Sequence, residues 1–149
     1  CIAKEVLRRL KFDNDTLRKV TRLVLNHDYR MPAVPKNVRR AMNKIGEYIF
    51  PYYMEVRRAD VLAQSEYRRA EKLKNLDEVE QTYAEIIEKG QCVSLKELAV
   101  TGRDLIRAGM KPGKEIGEKL NELLNLVIEN PEMNTRETLL NYISTDKEV

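Results

Sequence analysis

A chain of 149 residues with 42% hydrophobic and 34% charged residues suits one compact domain or two small helical lobes. No apolar run approaches the roughly 20 residues needed to cross a bilayer, so the composition points to a soluble protein. The net charge of +3 hides an asymmetry: residues 1–60 hold 14 Lys/Arg against 7 Asp/Glu, and residues 61–149 hold 13 against 17.

In chain order, Ile2, Val6, Leu7 and Leu10 share one face of a first helical segment. Asp13-Asn14-Asp15 offers a cap and an acidic first turn for a second helix running to about Tyr29. Leu17, Val20, Val24 and His27 fall at helical spacing along it. Pro32 and Pro35 bound a connector, and a third helix is expected from about Lys36 with Val38, Met42 and Ile45 inward. Gly46 and Tyr48-Ile49-Phe50-Pro51 mark a break, with Pro51 suited to the first turn of the next helix. That helix carries Met54, Val56, Ala59, Val61 and Leu62. A long charged helix spans about Glu66 to Lys89, with Leu73, Leu76, Val79, Tyr83, Ile86 and Ile87 as its stripe and Gly90 as its stop.

Ser94-Leu95-Lys96-Glu97 reads as a capping box opening a short helix that ends near Val100. Another short helix opens at Thr101-Gly102-Arg103-Asp104 and stops at Gly109. Lys111-Pro112-Gly113 launches a longer helix with Ile116, Leu120, Leu123, Leu124, Val127 and Ile128 inward, ended by Asn130-Pro131. A last helix starts at Asn134-Thr135 and buries Leu139, Leu140 and Ile143. No stretch alternates with period two, so the expected fold class is all-α: a multi-helix body and a small C-terminal helical tail, with a boundary near 90–94.

The residues carry little catalytic chemistry. His27-Asp28 resembles half of a phosphohydrolase metal site, but the chain has one histidine and no acids obviously grouped around it. A histidine that caps or pairs locally is the plainer reading. Ser65, Ser94 and Ser144 have no imidazole nearby in sequence, and Cys1 and Cys92 sit in no activating motif. Two cysteines without metal-ligand spacing read as free thiols in a reducing cytoplasm. No catalytic or metal-binding residue is therefore expected.

The basic residues are better organised. Lys36, Arg40 and Lys44 are spaced i, i+4, i+8 and form a stripe, with Arg39 beside it. Arg57-Arg58 and Arg68-Arg69-Lys72-Lys74 continue the basic run, and Tyr48, Tyr52 and Tyr53 lie between as groups able to stack on bases. The plainer alternatives are solvated faces, a core role for Tyr48 and Phe50, and an ion pair of Arg58 with Asp60 or a neighbouring acid. Gly109-Met110-Lys111-Pro112-Gly113-Lys114 could perch a phosphate on a helix N-terminus beside Lys111 and Lys114, or could be a tight turn alone.

Leu95 through Ile106, followed by Gly109, Lys111-Pro112-Gly113, Ile116-Gly117, Leu120, Leu123-Leu124, Val127, Asn130-Pro131 and Asn134, resembles the C-terminal region of bacterial CCA-adding tRNA nucleotidyltransferases. That family's pattern is a leucine-rich lead-in, a Gly-x-Asp-Leu turn, a Pro-Gly-x-x-Ile-Gly helix start and an Asn-Pro ending. Arg58-Ala59-Asp60-Val61-Leu62-Ala63-Gln64 resembles its Arg-Ala-Asp segment, and Lys11-Phe12 through His27 resembles the closing helices of an HD-like region. The resemblance implies three regions: residues 1–30 as the end of the HD-like part, 31–92 as helical body and 93–149 as a tRNA-binding tail.

It also implies a division of labour. In the family an N-terminal head transfers nucleotides from CTP and ATP with Mg2+, a neck selects them, and the helical body and tail hold the tRNA acceptor and TΨC region. The head's carboxylates and Gly-Ser motif, the neck's Glu-Asp-x-x-Arg-type template and the upstream HD-site His and His-Asp pair have no counterpart here. The chain opens on Cys1-Ile2-Ala3, so the expectation is a tRNA-holding C-terminal fragment, not catalytic alone, whose parent enzyme adds C and A. Lys36, Arg39, Arg40, Lys44, Lys111 and Lys114 are its candidate RNA contacts. Related bacterial poly(A) polymerases share head and neck, and the tail elements favour the CCA-adding side. The alternatives are a fragment of an HD-type metal-dependent phosphohydrolase and a helical protein-interaction module using residues 66–89.

Overall fold

The computed structural model describes residues 2–145. Among them are eight α-helices, one short 3-10 turn and no strand, as the all-α reading requires. Cys1, one of the two expected thiols, lies outside the described residues. The chain divides into two compact units, Cys1–Ile86 and Ile87–Val149.

In the first unit, α1 (Ile2–Arg9) packs along α2 (Asn14–Asn26) and buries none of its own residues. Ile2 stays 80% exposed. Asp13 caps α2 by accepting from the backbone N–H groups of Asp15 and Thr16, both at 2.9 Å. The helix stops three residues short of Tyr29, at Asn26, whose buried amide donates back to the Arg22 carbonyl at 2.8 Å. Helix α3 (Pro35–Ile45) begins on a proline that needs no N–H partner and ends where the Gly46 N–H bonds the Met42 carbonyl at 2.8 Å. Gly46 turns there with φ of 105°, a conformation costly for any residue with a Cβ.

Helix α4 (Phe50–Ala63) turns Phe50, Tyr53, Met54, Arg57 and Val61 inward, the i, i+3/i+4 spacing of one helical face. Val38, Ala41, Met42 and Ile45 of α3 meet water nowhere and form the other half of that core. Helix α5 (Arg69–Glu88) begins three residues after the expected Glu66. It buries Leu76, Val79 and Ile86 and leaves Ile87 45% exposed. The Phe50 ring stacks on Tyr83 at 5.2 Å and tilts against Tyr53 at 5.6 Å, tying α4 to α5. Arg58 reaches the neighbouring helix, pairing with Asp77 at 2.7 Å and Glu80 at 2.9 Å, and not Asp60. Two residues apart on one helix do not face each other, so Asp60 instead takes Arg57, three residues before it, at 3.0 Å.

The second unit has an unbroken apolar core of Cys92, Leu98, Val100, Leu105, Leu123, Leu124, Val127, Ile128, Leu139 and Ile143. Its helices are α6 (Gly102–Arg107), α7 (Lys114–Glu129) and α8 (Arg136–Thr145), with a 3-10 turn at Pro131–Met133 after Asn130. A Cβ on Gly102 would stand 3.1 Å from the Ile116 side chain, so glycine there lets α6 lie close against α7. Burial pushes the Cys92 thiol up to about 11.

The helix expected from Ser94 to Val100 does not form; those residues are turns. The capping chemistry is present, since Glu97 Oε2 accepts from the N–H groups of Val93 and Ser94 and from the Ser94 hydroxyl. A helix ending near Val100 would need the Ala99 N–H to bond the Leu95 carbonyl. Asn134 prevents this by accepting from the Ala99 N–H at 2.8 Å while donating to the Glu97 carbonyl at 3.0 Å. The Thr101 N–H goes to Asp104 at 2.9 Å, closing the capping box of α6.

Candidate nucleic-acid interface

Helix α3 presents Lys36, Arg40 and Lys44 at the surface along one stripe. Arg39 departs from the expected geometry: it is 4% exposed and belongs to the inward face with Val38 and Met42. The i+3 spacing from Arg39 to Met42 sets it on the core side, whereas Arg40 shares the face of Lys36 and Lys44.

The stripe ends in a cluster that its own helix does not supply. The Lys44 ammonium lies 4.2 Å from the centre of the Tyr29 ring. Tyr29 is held in turn by its carbonyl, which accepts from the buried Tyr53 hydroxyl. Burial raises the pKa of that hydroxyl, so it stays a neutral donor. Arg22 of α2 donates to the Lys44 carbonyl at 3.0 Å, setting a guanidinium at the C-terminal end of α3. One turn earlier on α2, the Lys19 ammonium sits 4.6 Å from the Tyr48 ring centre and 5.3 Å from that of Tyr52. Contact with Tyr48, then the Asp15 carboxylate, raises the Lys19 pKa and keeps it charged.

Tyr48 and Tyr52 meet edge to face at 6.3 Å and remain 62% and 42% exposed, whereas Tyr53 is 2% exposed. Of the three tyrosines considered for stacking, two are therefore open to solvent, and Tyr48 is not core. Lys19, Arg22 and Tyr29 were missed from sequence. Their signal was the i, i+3 spacing of Lys19 and Arg22 on α2, set apart from the basic stripe by a proline connector. The outcome is alternating cations and aromatic rings on α2, the connector, α3 and the start of α4. Such a surface can neutralise phosphates and stack on unpaired bases.

In the second unit, Lys111 lies exposed in the turn before α7 and Lys114 is its first residue. Lys114 reaches Glu118 at 2.9 Å across an exposed face. His27 has both ring nitrogens engaged locally, Nδ1 by the Val24 carbonyl at 2.8 Å and Nε2 by Asp28 at 3.1 Å. No group of three His, Cys, Asp or Glu side chains able to hold a metal ion occurs among the described residues. No helix among them is long and apolar enough to cross a membrane.

No curated protein and no solved structure matches the chain. A family profile described as tRNA nucleotidyltransferase domain 2 matches residues 2–143, spanning both units. The chain belongs to the tRNA nucleotidyltransferase domain 2 family.

Proposed function

We propose that this chain holds the acceptor and TΨC region of tRNA while a nucleotidyltransferase head outside these residues adds C and A without a template. The single observation that carries this reading is the interleaved cation and tyrosine surface of the first unit, in a chain of this family. Lys36, Arg40 and Lys44 contact phosphates, joined by Lys19 and Arg22, and Tyr48 and Tyr52 stack on exposed bases. Arg39 supports the stripe from the core side instead of touching RNA. Lys111 and Lys114 make a second, smaller set of phosphate contacts. The chemistry of Mg2+ and of CTP or ATP belongs to the head, and the chain described here supplies position and charge.

Fluorescence anisotropy with tRNA and with an acceptor minihelix tests the reading. Affinity should fall steeply as salt rises, with a log–log slope near one per phosphate contact. The triple variant Lys36→Glu, Arg40→Glu, Lys44→Glu should lower that slope by about three while keeping its helical circular dichroism. Binding that ignores salt, or that survives the triple variant, would overturn the assignment. No nucleotide incorporation is expected from this chain alone.

A further inference from the structure

The first unit also contains a cavity of about 260 Å³ between α4, α5 and the connector before α3. Its floor is apolar, built from Met31, Met54 and Leu76. The rest of its lining is largely cationic, with Arg30, Lys72 and an Arg68–Glu71 pair, and with Arg57 as deeply buried as the methionines. Two of these four cations are compensated. Arg68 donates through Nε to Glu71 at 2.7 Å, and the buried Arg57 pairs with Asp60 at 3.0 Å while touching the His27 carbonyl at 3.3 Å.

The other two cations are not compensated. Lys72 donates to the neutral Gln64 side chain at 3.0 Å, and Arg30 has no carboxylate partner among the described residues. Two uncompensated positive charges over a sulfur-rich apolar floor match a dianion carried on a compact, flat apolar body. We infer that this cavity binds a phosphate monoester of mononucleotide size, its phosphate between Arg30 and Lys72 and its ring on Met31 and Met54. The phosphate comes either from a free mononucleotide or from the phosphorylated end of an RNA strand.

The five methionines make the site readable by methyl NMR on the full chain. Adenosine monophosphate should move the Met31 and Met54 methyls and leave Met42, buried in the α3 core, and Met110 in place. Adenosine and inorganic phosphate should each bind at least about tenfold more weakly, since each lacks half of the recognition. Arg30→Gln with Lys72→Gln should cost adenosine monophosphate about tenfold or more and leave the Met42 signal unchanged, which shows that the fold is intact.

Unmoved Met31 and Met54 methyls, equal binding of adenosine and its monophosphate, or full binding by the double variant would each overturn the proposal. A 5′-phosphorylated oligoribonucleotide that shifts the same methyls more tightly than its 5′-hydroxyl counterpart assigns the site to an RNA end. A shift with the mononucleotide alone assigns it to a free nucleotide. Loss of tRNA binding in the α3 variants with these methyl shifts intact separates this cavity from the RNA-holding surface.

Discussion

The two units handle polar groups in opposite ways. Residues 1–86 carry 18 Lys/Arg against 13 Asp/Glu, and residues 87–149 carry 9 against 11. All three buried polar or charged residues among those described, Asn26, Arg39 and Arg57, lie in the first unit, while the second encloses an apolar core. The first spends interior positions on guanidinium groups that must be hydrogen-bonded to be tolerated. The second keeps its polar side chains at turns and helix ends, as Asp104, Glu97 and Asn134 do. The difference teaches where to look for recognition: a unit that buries charge and leaves tyrosines outside is arranged for something other than maximal packing.

The largest effects should follow from this division. Leu139→Ala removes a fully enclosed side chain from the second core and should cost about 3 kcal/mol, read as lost hydrogen-exchange protection in α7 and α8. A cost below about 1 kcal/mol would mean that the core relaxes around the gap, and the contrast would weaken. Next in size, reversing Lys36, Arg40 and Lys44 should weaken tRNA binding by about a hundredfold at low salt with little loss of stability, because all three are exposed. If stability fell and binding did not, these residues would be structural.

How much of this was legible in sequence differs between the units. Helices with a clear cap and one apolar face, such as α2 after Asp13 and α7 before Asn130, could be read within a few residues. The turns at Ser94–Val100 could not, because a residue about 40 positions later, Asn134, captures the backbone groups that a helix would use. Of the candidate site, the α3 stripe was legible from its spacing. Arg39 was placed beside the stripe for its charge, although its i, i+3 spacing to Met42, a residue expected inward, sets it on the core side. The Lys44–Tyr29 and Lys19–Tyr48 contacts join residues 15 and 29 positions apart, so only the packing of α2, α3 and α4 reveals them.

The capping of α6 offers a sharper test of the second unit. Hydrogen bonds from Thr101, side chain first and then backbone, followed by Arg136, hold the Asp104 carboxyl well below the usual carboxylate range. A depressed folded pKa means that the stabilisation is fully present above the unfolded value of about 3.9 and is lost as pH falls toward the folded one. Acid unfolding of the second unit should therefore steepen below about pH 4, and Asp104→Asn should flatten that dependence while lowering the melting temperature at neutral pH. An unchanged acid limb in the variant would assign the cap to geometry alone. Thr101→Ala, which removes the partner hydroxyl, should cost about 1 kcal/mol.

The smallest effect concerns Lys114, where the two units can be compared for the same job. Its pair with Glu118 is exposed on both sides, so Lys114→Ala should change stability by no more than about 0.5 kcal/mol. If Lys114 also contacts phosphate, Glu118 competes with the RNA for its ammonium. Glu118→Gln should then strengthen tRNA binding about twofold at low salt, and Lys114→Ala should lower the salt slope by about one. On α3, Lys44 has no such competitor in the contact that holds it, since it rests on the Tyr29 ring and not on a carboxylate that would compete with a phosphate for its ammonium. Removing Lys44 should therefore weaken binding more than removing Lys114, and the reverse order would move the RNA-holding surface from the first unit to the second.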